Sequence, residues 1–189
     1  MTKGFLLVVW ILVSLTFISN PSAQVEKGAT ELSFAAAFMG VKESDHDLET
    51  AFNLSARVGY FITKEFEIEP EIIFSTYEGE DPGFILSANF LYNVSLPEAS
   101  KAVPFFLVGI GWSNSLHFFN QMNFGDVERN YTILNLGLGS KFFLNGSAAM
   151  RFEYRFQRFY AEEKKTLYYT YDPSVSYHNL FFGMTVLLK

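Results

Sequence analysis

Cysteine is absent from the chain. That absence removes thiolate catalysis, disulfide scaffolding, cysteine-ligated zinc and lipoprotein anchoring, because each needs the sulfur atom. Charge is scarce as well: Asp, Glu, Lys and Arg make up 18% of the residues, against about 25% in an ordinary soluble domain. The charge that is present has no basic excess, with 14 Lys and Arg against 20 Asp and Glu and a net of −6. Phosphates would find little to neutralise them, so nucleic acid is not expected as a partner. Long apolar runs are few, and beyond the first segment none can form a helical membrane span. The longest uncharged window, residues 102–125, is broken by Pro104, Gly109, Gly111 and Ser113-Asn114-Ser115. In their place stand oil and rings: 49% apolar and 18% aromatic types within 189 residues, a length that suits one domain.

The first segment reads as an address. Lys3 precedes Phe5 through Ile18, an apolar run of 14 residues, and Ser19-Asn20-Pro21-Ser22-Ala23 follows. A spanning helix needs about 20 apolar residues, so the run is expected to be the h-region of a signal peptide over residues 1–23, cleaved after Ala23. The mature domain then covers residues 24–189.

From there the dominant signal is period-two alternation in stretches of about ten residues, the pattern of a membrane-spanning strand. Eight such segments are predicted, at approximately 31–39, 49–62, 66–77, 84–94, 104–113, 130–143, 147–160 and 176–188. In the second, Phe52, Leu54, Ala56, Val58 and Tyr60 share one face while Asn53, Ser55, Arg57 and Gly59 share the other. The seventh repeats this, opposing Met150, Phe152, Tyr154 and Phe156 to Arg151, Glu153, Arg155 and Gln157. In all eight the oily face falls on even numbers. Ile73, Ile85, Leu91, Leu107, Ile133 and Phe181 break the rule, which implies local apolar packing or a bulge. Among the connections, Asn145-Gly146 has the composition of a type I′ hairpin turn, in which both central residues take positive φ.

Eight antiparallel strands can close and leave no unpaired edge, as hydrocarbon requires. The oily face is expected outward, because the other carries Gly59, Gly109, Gly111, Gly137, Gly139 and Gly183 among Arg57, Glu67, Glu69, Glu71, Lys141, Arg151, Glu153 and Arg155. Glycines make room for long charged side chains in a crowded polar lumen. A soluble lipocalin-like periplasmic carrier, the opposite arrangement, would line its cavity with the Phe and Leu residues.

The leader, the eight segments and phrases such as Glu67-Ile68-Glu69-Pro70-Glu71, Pro104-Phe105-Phe106-Leu107-Val108-Gly109-Ile110-Gly111, Leu136-Gly137-Leu138-Gly139-Ser140-Lys141-Phe142-Phe143 and Arg151-Phe152-Glu153-Tyr154-Arg155-Phe156 resemble the OmpA/OmpX-type small outer-membrane β-barrel domain family. The resemblance covers residues 24–189. It implies an all-β, eight-stranded antiparallel up-and-down transmembrane barrel in the Gram-negative outer membrane. The partners it implies are outer-membrane lipid and lipopolysaccharide, and the barrel-insertion machinery during biogenesis. The chain departs from the pattern at its end, Val186-Leu187-Leu188-Lys189, where such barrels often finish on an aromatic residue.

The eight lumen charges balance, Glu67, Glu69, Glu71 and Glu153 against Arg57, Lys141, Arg151 and Arg155, and the third strand of an eight-membered ring faces the seventh. They are expected to form a structural ion-pair network that fills the lumen. No catalytic residue, metal ligand or cofactor site is expected. Outside the lumen, Phe118, Phe119, Met122 and Phe124 in one long connection and Tyr168, Tyr169 and Tyr171 in another are candidates for loop contacts with an extracellular partner. Arg158, with Lys164 and Lys165 beyond it, could pair with lipopolysaccharide phosphates. His46 lies among acidic residues and His117 in a long loop. Ser176 and His178 share an outward face, and a lipid A-modifying hydrolase built on that pair is the alternative function.

Overall fold

The computed structural model describes residues 25–41, 49–77, 82–95, 101–113, 130–161, 164–165, 170–171 and 175–188. The expected leader, His46, His117, Phe118, Phe119, Met122, Phe124, Tyr168 and Tyr169 lie outside the described residues. Eight long strands are present: β1 (Thr30–Val41), β2 (Glu49–Phe61), β3 (Phe66–Tyr77), β4 (Gly83–Asn93), β5 (Ala102–Ser113), β6 (Tyr131–Phe143), β7 (Ala148–Ala161) and β10 (Val175–Leu188). Between β7 and β10, β8 (Lys164–Lys165) and β9 (Thr170–Tyr171) form a two-stranded ribbon outside the barrel sheet. Tyr171 is placed there by its backbone.

Each barrel strand pairs antiparallel with its chain neighbours, and β1 pairs with β10, so the sheet closes on itself. Closure satisfies the backbone along the ladders, which is what lets strands cross hydrocarbon. The registers also explain why one numerical rule holds round the whole barrel. Glu31 opposes Gly59, Arg57 opposes Glu71, Glu67 opposes Leu91, Leu107 opposes Gly137, and Gly139 opposes Glu153. Odd residues meet odd ones across every ladder of the barrel, so parity, which sets the face within one strand, sets it for the barrel sheet. Among the described residues every exposed large hydrophobic side chain, from Phe34 to Leu188, has an even number. The oily face therefore points outward, which is the reverse of a lipocalin-like carrier.

The odd-numbered apolar residues need no bulge. Ile73, Ile85, Ile133 and Phe181 pack with Ala35, Ala37, Tyr131 and Phe159 in the interior toward the long connections. Phe61, Phe143, Ala149 and Leu187 gather with Ala29 at the opposite end, where the short connections lie. Leu91 and Leu107 pack on Phe105 against the β4–β5 wall. One ladder is interrupted: between β2 and β3, pairing skips from Arg57↔Glu71 to Tyr60↔Ile68, at the level where Pro70 has no N–H to give.

The turn between β6 and β7 corrects the type I′ expectation. Gly28, at φ 87, is the only glycine among the described residues with positive φ, so Gly146 does not supply one. The Asn145 side chain makes the turn instead, its Oδ1 accepting the backbone N–H groups of Ser147 at 2.9 Å and Ala148 at 2.8 Å. An Asn side chain that mimics a backbone acceptor can substitute for an unusual backbone conformation.

Candidate functional site

The charges that parity turns inward are buried and meet across the barrel. Arg57 on β2 donates from Nε to Glu71 Oε1 on β3 at 2.7 Å and from Nη1 to Glu153 Oε2 on β7 at 2.7 Å. Arg155 donates from Nη1 to Glu71 Oε2 at 2.5 Å and pairs with its strand neighbour Glu153. Arg151 holds Glu69 with both terminal nitrogens, Nη2 reaching Oε1 at 3.1 Å, and also reaches Glu153 Oε2 at 2.7 Å. Lys141 on β6 joins Glu31 on β1, at 2.7 Å, to Glu67 on β3, at 2.9 Å. The eight candidate lumen residues, Arg57, Glu67, Glu69, Glu71, Lys141, Arg151, Glu153 and Arg155, are thus brought together.

The balanced count of four acids against four bases is corrected. Glu31 is also fully buried in the interior, so five carboxylates face four cations among the described residues. Its odd number at the start of β1 was the available signal, and its place at a strand end obscured it. Missed too was a belt of amides at odd positions. Asn179 donates to Gln157 at 2.8 Å, Gln157 to Asn135 at 2.9 Å, and Asn135 to Asn89 at 3.2 Å. Asn89 in turn donates to Glu71 Oε2 at 2.8 Å. The belt joins β10, β7, β6 and β4 to the ion pairs on β3, so buried polar groups satisfy one another rather than facing apolar walls.

Aromatic rings cover the cations. The guanidinium carbons of Arg155 and Arg57 lie 5.0 Å and 5.2 Å from the centroid of Phe181, and that of Arg151 lies 4.6 Å from Phe105. Lys141 Nζ sits 5.2 Å from the Phe61 ring. A desolvated cation over a ring face gains about 2 kcal/mol, which gives the odd-numbered phenylalanines a role beside the charges. Glycine makes the space: a Cβ on Gly139 would lie 2.3 Å from the Phe152 carbonyl oxygen and 2.5 Å from Phe105 Cζ.

Near the short-turn end, Glu31, Glu67 and Glu69 each place a carboxylate oxygen within 4.8 Å of the others. Two acceptors there, Glu67 Oε1 and Asn93 Oδ1, are buried without a hydrogen-bond donor. Elsewhere among the described interior residues the arrangement offers fixed charge held in mutual ion pairs.

On the outward face, Ser176 and His178 do not form a nucleophile–base pair. Ser176 Oγ accepts from Arg158 Nη1 at 2.8 Å, and His178 Nδ1 lies 2.6 Å from Tyr154 Oη. The same face is dented beside Ser140, where Leu138, Phe142, Phe152, Leu180 and Phe182 border a recess of about 540 Å³.

A model of the family described as "outer membrane protein beta-barrel domain" matches residues 9–183. Among solved structures, the chain is similar to the N-terminal β-barrel domain of OprF from Pseudomonas aeruginosa. The identity is 15% over 87% of this chain and 100% of that one, with a TM-score of 0.57. It is similar also to neisserial surface protein A, at 13% identity over 85% of this chain and 97% of that one, again with a TM-score of 0.57. Identities this low show a shared fold. No curated protein matches the chain.

Proposed function

The chain belongs to the outer membrane protein beta-barrel domain family, and from that membership in the bacterial outer membrane we propose that it is a non-enzymatic barrel with a side-chain-plugged lumen and loops for surface contact. The observation that carries the plug is the layering of the interior. A dense set of buried ion pairs lies between one apolar cluster around Phe159 and Phe181 and another around Phe61 and Phe143. Eight-stranded barrels have interiors that side chains fill, and ions crossing this one would meet two dehydrated barriers. Reconstitution of the purified protein in planar bilayers tests the plug: no sustained conductance is expected, and large stable currents from verified monomer would refute it.

Contact with the outside is assigned to the long connections. Phe118, Phe119, Phe124, Tyr168, Tyr169 and Tyr171 would supply aromatic surface for an extracellular partner. Arg158, with Lys164 and Lys165 above it, would meet lipopolysaccharide phosphates, and the recess beside Ser140 suits an acyl chain of the surrounding lipid. Residues 1–23 would serve as a cleaved leader, after which the barrel-insertion machinery folds the domain into the membrane. The separate partners of Ser176 and His178 support the non-enzymatic reading over a lipid A hydrolase, since an activated hydroxyl needs its base within hydrogen-bond reach.

A further inference from the structure

We propose that the barrel interior binds one monovalent metal cation of sodium's class between Glu31, Glu67 and Glu69, close to the periplasmic rim. This is independent of what the loops contact. Three observations support it, and the first is charge. The described interior holds five carboxylates and four cations, and every one of those cations already contacts carboxylate oxygens. One negative charge is left without a counter-ion in surroundings where a bare carboxylate is strongly disfavoured.

The second observation is an orphaned oxygen. Lys141 and Asn93 both donate to Glu67 Oε2, at 2.9 Å and 3.1 Å, while Glu67 Oε1 is buried with no donor among the described residues. That oxygen projects into space vacated by Gly59. A Cβ built there would lie 2.0 Å from it and 3.2 Å from Glu31 Cβ, so Oε1 fills the gap that the missing side chain leaves beside Glu31. Asn93, itself buried, presents a second acceptor without a donor, Oδ1. Two acceptors left over beside surplus negative charge call for a cation.

The third is size. The three carboxylates offer oxygens within 4.8 Å of one another. Oxygen ligands stand about 2.3–2.6 Å from calcium, an ion close to sodium in radius, so the three oxygens need to draw only slightly inside that limit for all of them to touch one such ion. A single charge is missing, which favours a monovalent ion; a divalent one would leave the interior positive unless it expelled Lys141. The site lies toward the short-turn side, which faces the periplasm in barrels of this class, and the Phe61 and Phe143 cluster borders it there. There the Asn93 amide spans from the backbone carbonyl of Glu65 in the rim turn, at 3.4 Å, to Glu67.

The protein purified from outer membranes, held in detergent at constant ionic strength, tests this by exchange of N-methyl-D-glucamine for sodium. A saturable rise of the urea unfolding midpoint with sodium is expected, abolished in Glu67→Gln and shifted at least threefold in half-saturation in Asn93→Leu. Sodium-23 line broadening by the unmodified protein beyond that of empty micelles gives a readout that needs no variant to fold. A midpoint indifferent to which cation is present, or a sodium response that persists in Glu67→Gln, would overturn the proposal. So would an equal rise produced by acidification without sodium, which would put a proton in the cation's place.

Discussion

Lys141 Nζ stands 2.7 Å from Glu31 Oε2, a contact between β6 and β1 that spans the barrel interior rather than a strand pair. The same ammonium lies 2.9 Å from Glu67 Oε2 and 5.2 Å and 5.8 Å from the Phe61 and Phe105 rings. One buried side chain thus ties three regions of the wall together. Loss of its charge would leave two carboxylates facing each other.

Lys141→Met should therefore destabilise the folded barrel by about 3–5 kcal/mol, the usual cost of breaking a buried pair from one side. Adding Glu67→Gln should recover part of that loss, because the double variant returns the interior to an excess of one negative charge. Urea unfolding in lipid vesicles reads both. Simple additivity of the two substitutions would show that the two residues are not coupled.

Arg155 donates to Glu71 and pairs with Glu153, all three fully buried, whereas Lys164 belongs to the ribbon outside the barrel. Arg155→Ala should cost about 3–5 kcal/mol. Lys164→Ala, outside the barrel sheet, should change stability by about 0–1 kcal/mol. Equal midpoints for the two variants would contradict the burial of Arg155.

Gly137 and Gly139 stand on the same strand and the same face, yet a Cβ meets them differently. At Gly137 the nearest atom would be the Tyr154 carbonyl oxygen at 3.2 Å; at Gly139 both backbone and ring lie at 2.5 Å or closer. Gly139→Ala should destabilise by about 1–3 kcal/mol, the range for overpacking, and Gly137→Ala by clearly less. The ranking is checked by midpoints measured side by side, and its reversal would mean that Phe105 does not lean on Gly139.

Expression of the unmodified protein should leave lipid A acylation unchanged, and Ser176→Ala and His178→Ala should match it. The Ser176 hydroxyl is bonded to Arg158 and the His178 imidazole to Tyr154. Mass spectrometry of extracted lipid A checks this. Loss of an acyl chain on expression, reversed by either substitution, would establish the hydrolase instead.

Strand identity and facing were legible because a strand has a period of two, and lipid on one side with a crowded lumen on the other imposes opposite chemistries on alternate residues. Arg57, Glu69 and Arg155 could be placed inward from their own neighbours alone. Glu31 was harder, since a charge at a strand end reads equally well as part of a solvated rim. The Asn145 turn was misjudged because Asn-Gly carries two chemistries. The backbone preference of the pair points to type I′, while the Asn side chain offers an acceptor, and local sequence does not rank them.

By itself the sequence determined the number of barrel strands, their faces and the burial of every described interior charge but Glu31. These follow from alternation, which depends on each residue's position along its own strand. Which charge meets which was decided by the tertiary structure. Ring closure and strand stagger bring Lys141 to Glu31 across 110 residues of chain, and they set Arg57 and Arg155 against the same Phe181 ring. The contacts from Lys141 to Glu31 and from Arg57 to Phe181 depend on the relative heights of strands that share no ladder. The surplus carboxylate emerged only when the whole interior was assembled, because charge balance is a property of an enclosed volume and not of any segment.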